Sequence, residues 1–191
     1  LIGTGAVNSA ELTLYGYRNI GVGGPSWSSA SDWNLVVPAV DGWNNEFSAP
    51  GLADLDNDGD LDLMVGEWNF GTVFAYRNMG SSASALWAYW PSWNWGTGLT
   101  YAYLPAYADL DNDGLKDLML GLETAGASPG YISGYRNVGV SSAPAWSRRS
   151  GWDMPGSVPN AVIGAGPGHA LGDLDGDGLW DLLVGAGNGT T

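Results

Sequence analysis

The chain has 191 residues, is 45% apolar and carries a formal net charge of −14. That size and apolar content suit one ordinary domain with a core and exclude a disordered chain, while six Lys and Arg cannot form the basic stripe of a nucleic-acid binder. There is no cysteine, which excludes disulfides, thiolate metal sites and a cysteine nucleophile, and no apolar run approaches the roughly 18 residues of a membrane span.

The chain opens on Leu1-Ile2-Gly3-Thr4-Gly5, a short apolar run closed by glycine. It begins on Leu rather than Met, shows no signal-peptide pattern and starts inside a repeating unit. Such a start is expected of a processed chain, an excised segment or part of something longer. A variable polar turn leads to Tyr17-Arg18-Asn19, which returns as Tyr76-Arg77-Asn78 and Tyr135-Arg136-Asn137, 59 residues apart each time. One arginine per unit at a fixed place reads as a structural ion pair or carbonyl clamp. A Gly/Ser turn follows, then a tryptophan pair six residues apart: Trp27 and Trp33, Trp87 and Trp93, Trp146 and Trp152. The second tryptophan is followed by Asn34, Asn94 or Asp153. Repeated tryptophans are most simply structural, packing one unit on the next.

Next comes the stretch around which each unit is built. Asp54 to Asp62 reads D-L-D-N-D-G-D-L-D, Asp109 to Asp117 reads D-L-D-N-D-G-L-K-D, and Asp173 to Asp181 reads D-L-D-G-D-G-L-W-D. The three copies hold 13 of the 20 acidic residues. Carboxylates this dense repel one another unless a cation sits between them, and a hard ion taking six to eight oxygens, Ca²⁺ above all, suits such a site. About three ions are therefore expected. The candidate ligands are Asp54, Asp56, Asp58, Asp60 and Asp62; Asp109, Asp111, Asp113, Leu115 and Asp117; and Asp173, Asp175, Asp177, Leu179 and Asp181. Position 7 (Asp60, Leu115, Leu179) would give a backbone carbonyl. Gly59, Gly114 and Gly178 fall at position 6, where the loop turns sharply. An EF-hand is excluded, because position 12 is Val65, Leu120 or Val184 instead of a bidentate Glu. Each loop runs into L-M-V-G, L-M-L-G or L-L-V-G, the signature of a buried strand rather than a helix.

With 31 Gly, 10 Pro and no long helical periodicity, the fold class is all-β. A period near 59 residues with four strand signals per unit predicts propeller-type four-stranded blades, about three repeats in all. In the second unit the strands are expected near Gly51–Leu55, Asp62–Glu67, Thr72–Asn78 and Trp87–Trp93, the metal loop joining the first two as a hairpin. The repeats divide a single domain, 1–191, into 1–62, 63–117, 118–181 and the start of a fourth at 182–191.

Metal loop, L-x-V-G run and Y-R-N-x-G together resemble the FG-GAP/VCBS repeat, which builds the blades of integrin-α-like propellers and of a calcium-binding propeller lectin. The resemblance covers nearly the whole chain. It implies four-stranded blades with Ca²⁺ in the hairpin loop between the first two strands, held by Asp54, Asp56, Asp58 and Asp62 and their counterparts. Three repeats are fewer than the four to eight blades of a closed propeller. The expectation is a partial propeller, blades completed by other chains, or head-to-tail stacking into a fibre.

Five tryptophans occur outside the repeated positions: Trp43, Trp68, Trp90, Trp95 and Trp180. With Asn94 they are the candidates for stacking on and hydrogen bonding to a sugar. His169 has no partnering motif and reads as structural, and no nucleophile elbow, zinc or P-loop pattern occurs. Asn188-Gly189-Thr190 matches a glycosylation sequon, meaningful only in a secreted chain. The expected function is a non-enzymatic, extracellular, calcium-binding module for carbohydrate or cell-surface adhesion, without membrane insertion. The alternative is a structural subunit of an extracellular fibre or array.

Overall fold

The computed structural model describes residues 2–4, 11–38, 48–67, 71–81, 83–96, 101–124, 127–154 and 168–185. Every regular element among them is a strand or a single 3₁₀ turn. The strands are β1 (Ile2–Thr4), β2 (Glu11–Tyr15), β3 (Tyr17–Asn19), β4 (Trp27–Ser29) and β5 (Leu35–Pro38); β6 (Ser48–Ala53), β7 (Asp62–Glu67), β8 (Thr72–Asn78), β9 (Trp87–Tyr89) and β10 (Trp95–Gly96); β11 (Tyr101–Ala108), β12 (Asp117–Thr124), β13 (Ala127–Asn137) and β14 (Trp146–Arg148); and β15 (Gly168–Gly172) and β16 (Asp181–Gly185).

The third unit shows the plan most simply, as a four-stranded antiparallel meander in the order β11-β12-β13-β14. The second unit repeats it as β6-β7-β8, with β9 and β10 both paired to β8. Its outer strand is split, because the chain leaves the sheet at Trp90 and makes a 3₁₀ turn over Pro91–Trp93. The strand expected over Trp87–Trp93 therefore stops at Tyr89, and the Trp93 N–H turns to the carbonyl of Trp90. The turn recurs at Ser31–Trp33 and Ser150–Trp152, so the six-residue spacing of the tryptophan pair spans a short strand and one turn. The first strand of the unit also ends earlier than expected, at Ala53, because Asp54 and Leu55 already belong to the acidic loop. The other two ranges, Asp62–Glu67 and Thr72–Asn78, are found as expected. In the first unit β1-β2-β5 form one sheet and β3-β4 a short ribbon, while β15-β16 make a two-stranded sheet. The described sheets do not form a closed propeller.

The apolar run of β7 is continuous because both faces of that strand are covered. Along β7, Leu63 and Val65 pack with Leu14 and Val37 of the first unit and with Phe74 and Tyr76. Met64 points the other way, into a cluster with Ala53, Leu55, Val73, Ala75 and Trp93 that receives Leu118, Leu120, Leu122 and Tyr135 of the third unit. Alternation along one strand thus feeds two cores, one on each side of the sheet. The inner strands β6 and β11 approach closely, and a Cβ on Gly51 would lie 2.7 Å from the carbonyl oxygen of Pro105. The tryptophan pairs also join neighbours, since the Trp87 indole N–H donates to the carbonyl of Trp33 at 3.0 Å.

Two side-chain clamps repeat with the sheets. Asn34, Asn94 and Asp153 each use Oδ1 to accept the backbone N–H of the residue before the Tyr-Arg-Asn tyrosine: Gly16, Ala75 and Gly134. The asparagines of Tyr-Arg-Asn cap the next turn. Asn137 Oδ1 accepts from Gly139 and Ala145, Asn78 from Gly80 and Leu86, and Asn19 from Gly21 and Ser26. Asn78 and Asn137 are buried, whereas Asn19 is exposed. Removing a buried acceptor leaves two N–H groups without partners. Asn137→Ala should therefore lower unfolding free energy by about 2–4 kcal/mol in urea melts. Asn19→Ala, whose donors can turn to water, should cost less than about 1 kcal/mol.

Candidate metal centres

The acidic loops join β6 to β7, β11 to β12 and β15 to β16, each closing an antiparallel hairpin. Their fold follows from carboxylates accepting the loop's own backbone N–H groups. At position 1, Asp54 accepts from Asp58 and Gly59, Asp109 from Asp113 and Gly114, and Asp173 from Gly176 and Gly178. At position 5, Asp58, Asp113 and Asp177 accept from the N–H of position 7: Asp60, Leu115 and Leu179. The glycines at position 6 have φ of +95°, +89° and +88°, which a side chain would resist. Position 4 is also left-handed, at Asn57, Asn112 and Gly176. That second turn was legible in the sequence as Asn, Asn and Gly, the residues that enter this region most readily.

Position 9 does a separate job. Asp62 and Asp117 are fully buried. One oxygen of each accepts the N–H of position 2, Leu55 or Leu110, at 3.0 and 2.8 Å. The other accepts the N–H of Asn78 or Asn137 at 2.9 and 2.8 Å. These carboxylates latch the loop to the third strand of the blade. Asp181 repeats the first bond, to Leu174, at 2.7 Å.

The remaining oxygens gather into three clusters: Asp54, Asp56 and Asp58; Asp109, Asp111 and Asp117; Asp173, Asp175 and Asp181. Within each, one oxygen per residue lies within 4.8 Å of the others. A calcium ion with ligands at about 2.3–2.6 Å holds opposite oxygens about 5 Å apart, so one ion can touch all three. All the donors are hard oxygens, which suits Ca²⁺ and not a thiophilic metal. Asp60, Leu115 and Leu179 stand beside the clusters at position 7.

Two of the repeated arginines enter this chemistry. Arg77 reaches Asp56 at 2.5 Å and Asp58 at 3.2 Å, and Arg136 reaches Asp111 at 2.6 Å and Asp113 at 2.9 Å. Both therefore take positions 3 and 5, as the structural ion pair expected of them. Arg18 lies instead over the Trp33 ring, 4.7 Å from its centroid, and 3.8 Å from Asp32. Burial pushes the Asp62 carboxyl up to about 6, against the pull of its two backbone N–H partners. Burial likewise raises Asp117, while the Leu115 N–H and Arg136 lower Asp113.

The single-copy aromatics have mixed fates. The Trp95 ring meets Tyr135 edge-on at 4.4 Å, and Trp90 lies 6.1 Å from Trp93 with the Arg77 guanidinium 5.6 Å from its centroid. Both pack against the core shared with the third unit. Asn94 bonds the Ala75 N–H, and its amide donates to the Tyr89 hydroxyl at 2.6 Å. Trp180 is exposed within the third loop, and Trp43 and Trp68 lie outside the described residues. His169 Nε2 stands 3.1 Å from the carbonyl of Met119, joining the fourth sheet to the third. A cleft of about 300 Å³ lies instead at the junction of the first two units, lined by Tyr17, Trp33, Trp87, Leu52, Leu61, Asn78 and Ser81, with Gly59 at its edge. Its three aromatics all hold repeated positions, and Tyr17 is half exposed where Tyr76 and Tyr135 are buried.

Residues 54–120, about a third of the chain, match the family model described as FG-GAP-like repeat. The match begins at the first acidic loop and runs through the second. Comparison with curated proteins and with solved structures found no match.

In the metal-free protein, Asp62 should titrate near 6 when its carboxyl ¹³C shift is followed by NMR. A raised folded value means that the native state takes up a proton which the unfolded chain, at about 3.9, still releases. This group's contribution to stability therefore grows as pH falls from 7 through 6 towards 4. A bound cation, which favours the carboxylate, should reverse that trend.

Proposed function

We propose that the chain is a calcium-stabilised, non-catalytic module of an extracellular protein that binds carbohydrate in the aromatic cleft between its first two units. The observation that carries the reading is the cleft itself. Its volume is at the lower end of the range for small-ligand sites, and Tyr17, Trp33 and Trp87 offer ring faces on which a sugar ring can stack. Ser81 is an exposed polar group at its rim.

Calcium enters through the wall of the cleft. Gly59 and Leu61 belong to the first acidic loop and also line the cavity. Asp54, Asp56 and Asp58 would hold the ion there, Asp109, Asp111 and Asp117 in the second loop, and Asp173, Asp175 and Asp181 in the third. Bound calcium supplies the positive charge that lets each cluster sit together. The millimolar calcium outside cells suits loops of modest affinity. No described helix is long and apolar enough to cross a membrane.

A fibre or array subunit is the second reading, favoured by exposed apolar residues on the last hairpin, where Leu183 of β16 is 64% and Trp180 of the loop before it 45% exposed. Long filaments in electron micrographs of native material, with one subunit per repeat, would replace the carbohydrate reading.

Metal binding is coupled to folding. Chelation with EDTA should lower the calorimetric melting temperature, and millimolar CaCl₂ should restore it; a transition unmoved by either would end the calcium reading. On a glycan array, Tyr17→Ala should weaken binding about tenfold or more while leaving the melting temperature within about 2 °C, because Tyr17 is half exposed. An array on which neither protein binds any glycan would remove the carbohydrate proposal and leave the metal sites intact.

A further inference from the structure

We propose that Arg77 and Arg136 are built-in counter-ions that hold the first two acidic loops closed without metal and withdraw when calcium binds, so that each weakens calcium binding at its own loop. The inference rests on the calcium reading of the loops and concerns what the chain's own cations do there.

Both arginines use the same pair of positions. Each guanidinium contacts an Oδ2 of position 3 and an Oδ2 of position 5, at Asp56 and Asp58 and at Asp111 and Asp113. Asp56 and Asp58 belong to the first cluster and Asp111 to the second. An ion at ligand distance from these carboxylates and a guanidinium bonded to them cannot share the space, and like charges so close repel. One must leave as the other arrives. The arginine is tied to its strand by the Tyr-Arg-Asn register, and its long side chain can swing without moving the backbone.

Arg18, at the same place in its unit, rests over Trp33 beside Asp32. An aromatic face is a stable resting place for a guanidinium. Arg77 already has Trp90 5.6 Å away.

The test is a CaCl₂ titration of the full chain followed by ¹H–¹⁵N NMR, with the amides of Gly59, Gly114 and Gly178 reporting each loop. The side-chain Nε–H signals of Arg77 and Arg136 should move with their own loops, while Arg148, paired to Asp153 outside the loops, stays put. Arg77→Gln and Arg136→Gln should each tighten calcium binding at their own loop roughly five- to tenfold and leave Gly178 unchanged. In EDTA each variant should melt about 2–4 °C lower than the parent. If calcium moves none of the three glycine signals, the calcium reading fails and takes this inference with it. If the parent binds but both variants bind equally or more weakly, or the arginine signals do not move, the arginines are not displaced counter-ions and the inference alone falls. Should a variant fail to fold, the parent's arginine signals still decide.

Discussion

Mutual repulsion of carboxylates at a hairpin turn is the constraint on which the rest of this structure depends. Each loop places four or five aspartates within nine residues, next to strands that must be buried on both faces. Backbone N–H groups, arginines and metal ions are the positive partners that allow it, and the chain uses the first two in a fixed pattern. The carboxylate at position 1 shapes the turn; in the first two loops the one at position 9 ties it to the third strand and those at positions 3 and 5 face an arginine. The order of the loop thus extends directly into the sheet.

The sheets depend on the loops in return. The strand after each loop is apolar on both faces and is stable only between two neighbouring sheets. Where both are present, as for β7, the strand is buried throughout. Where the second face has no described neighbour, as for β16, Leu183 is largely exposed. Stability in such an array is shared between units and their interfaces rather than held in one central core. The cleft between the first two units belongs to the same geometry, a gap between stacked sheets with tryptophans from both sides at its wall.

Equivalent residues differ in their surroundings from one unit to the next. Tyr17 is exposed where Tyr76 and Tyr135 are buried. Trp90, Trp95 and Asn94, named from the sequence as sugar-binding candidates, are packed or hydrogen-bonded within the scaffold.

The sequence by itself determined the all-β class, the unit length, the hairpin at each acidic loop and the residues of the three clusters. These are local properties, set by alternation, turn residues and charge spacing within a few positions. It also marked Arg77 and Arg136 as ion-pairing residues, though not their partners. Only the tertiary structure decided that position 9 is a buried latch in the first two loops, that the outer strand breaks after Tyr89, and that a cleft opens beside Tyr17. Each depends on what a distant segment brings within 3–6 Å: Asn78 to Asp62, Trp33 to Trp87, Tyr135 to Trp95. Periodicity in a sequence fixes which residues are equivalent, but burial is assigned by neighbours, and the neighbours of equivalent residues differ from one unit to the next.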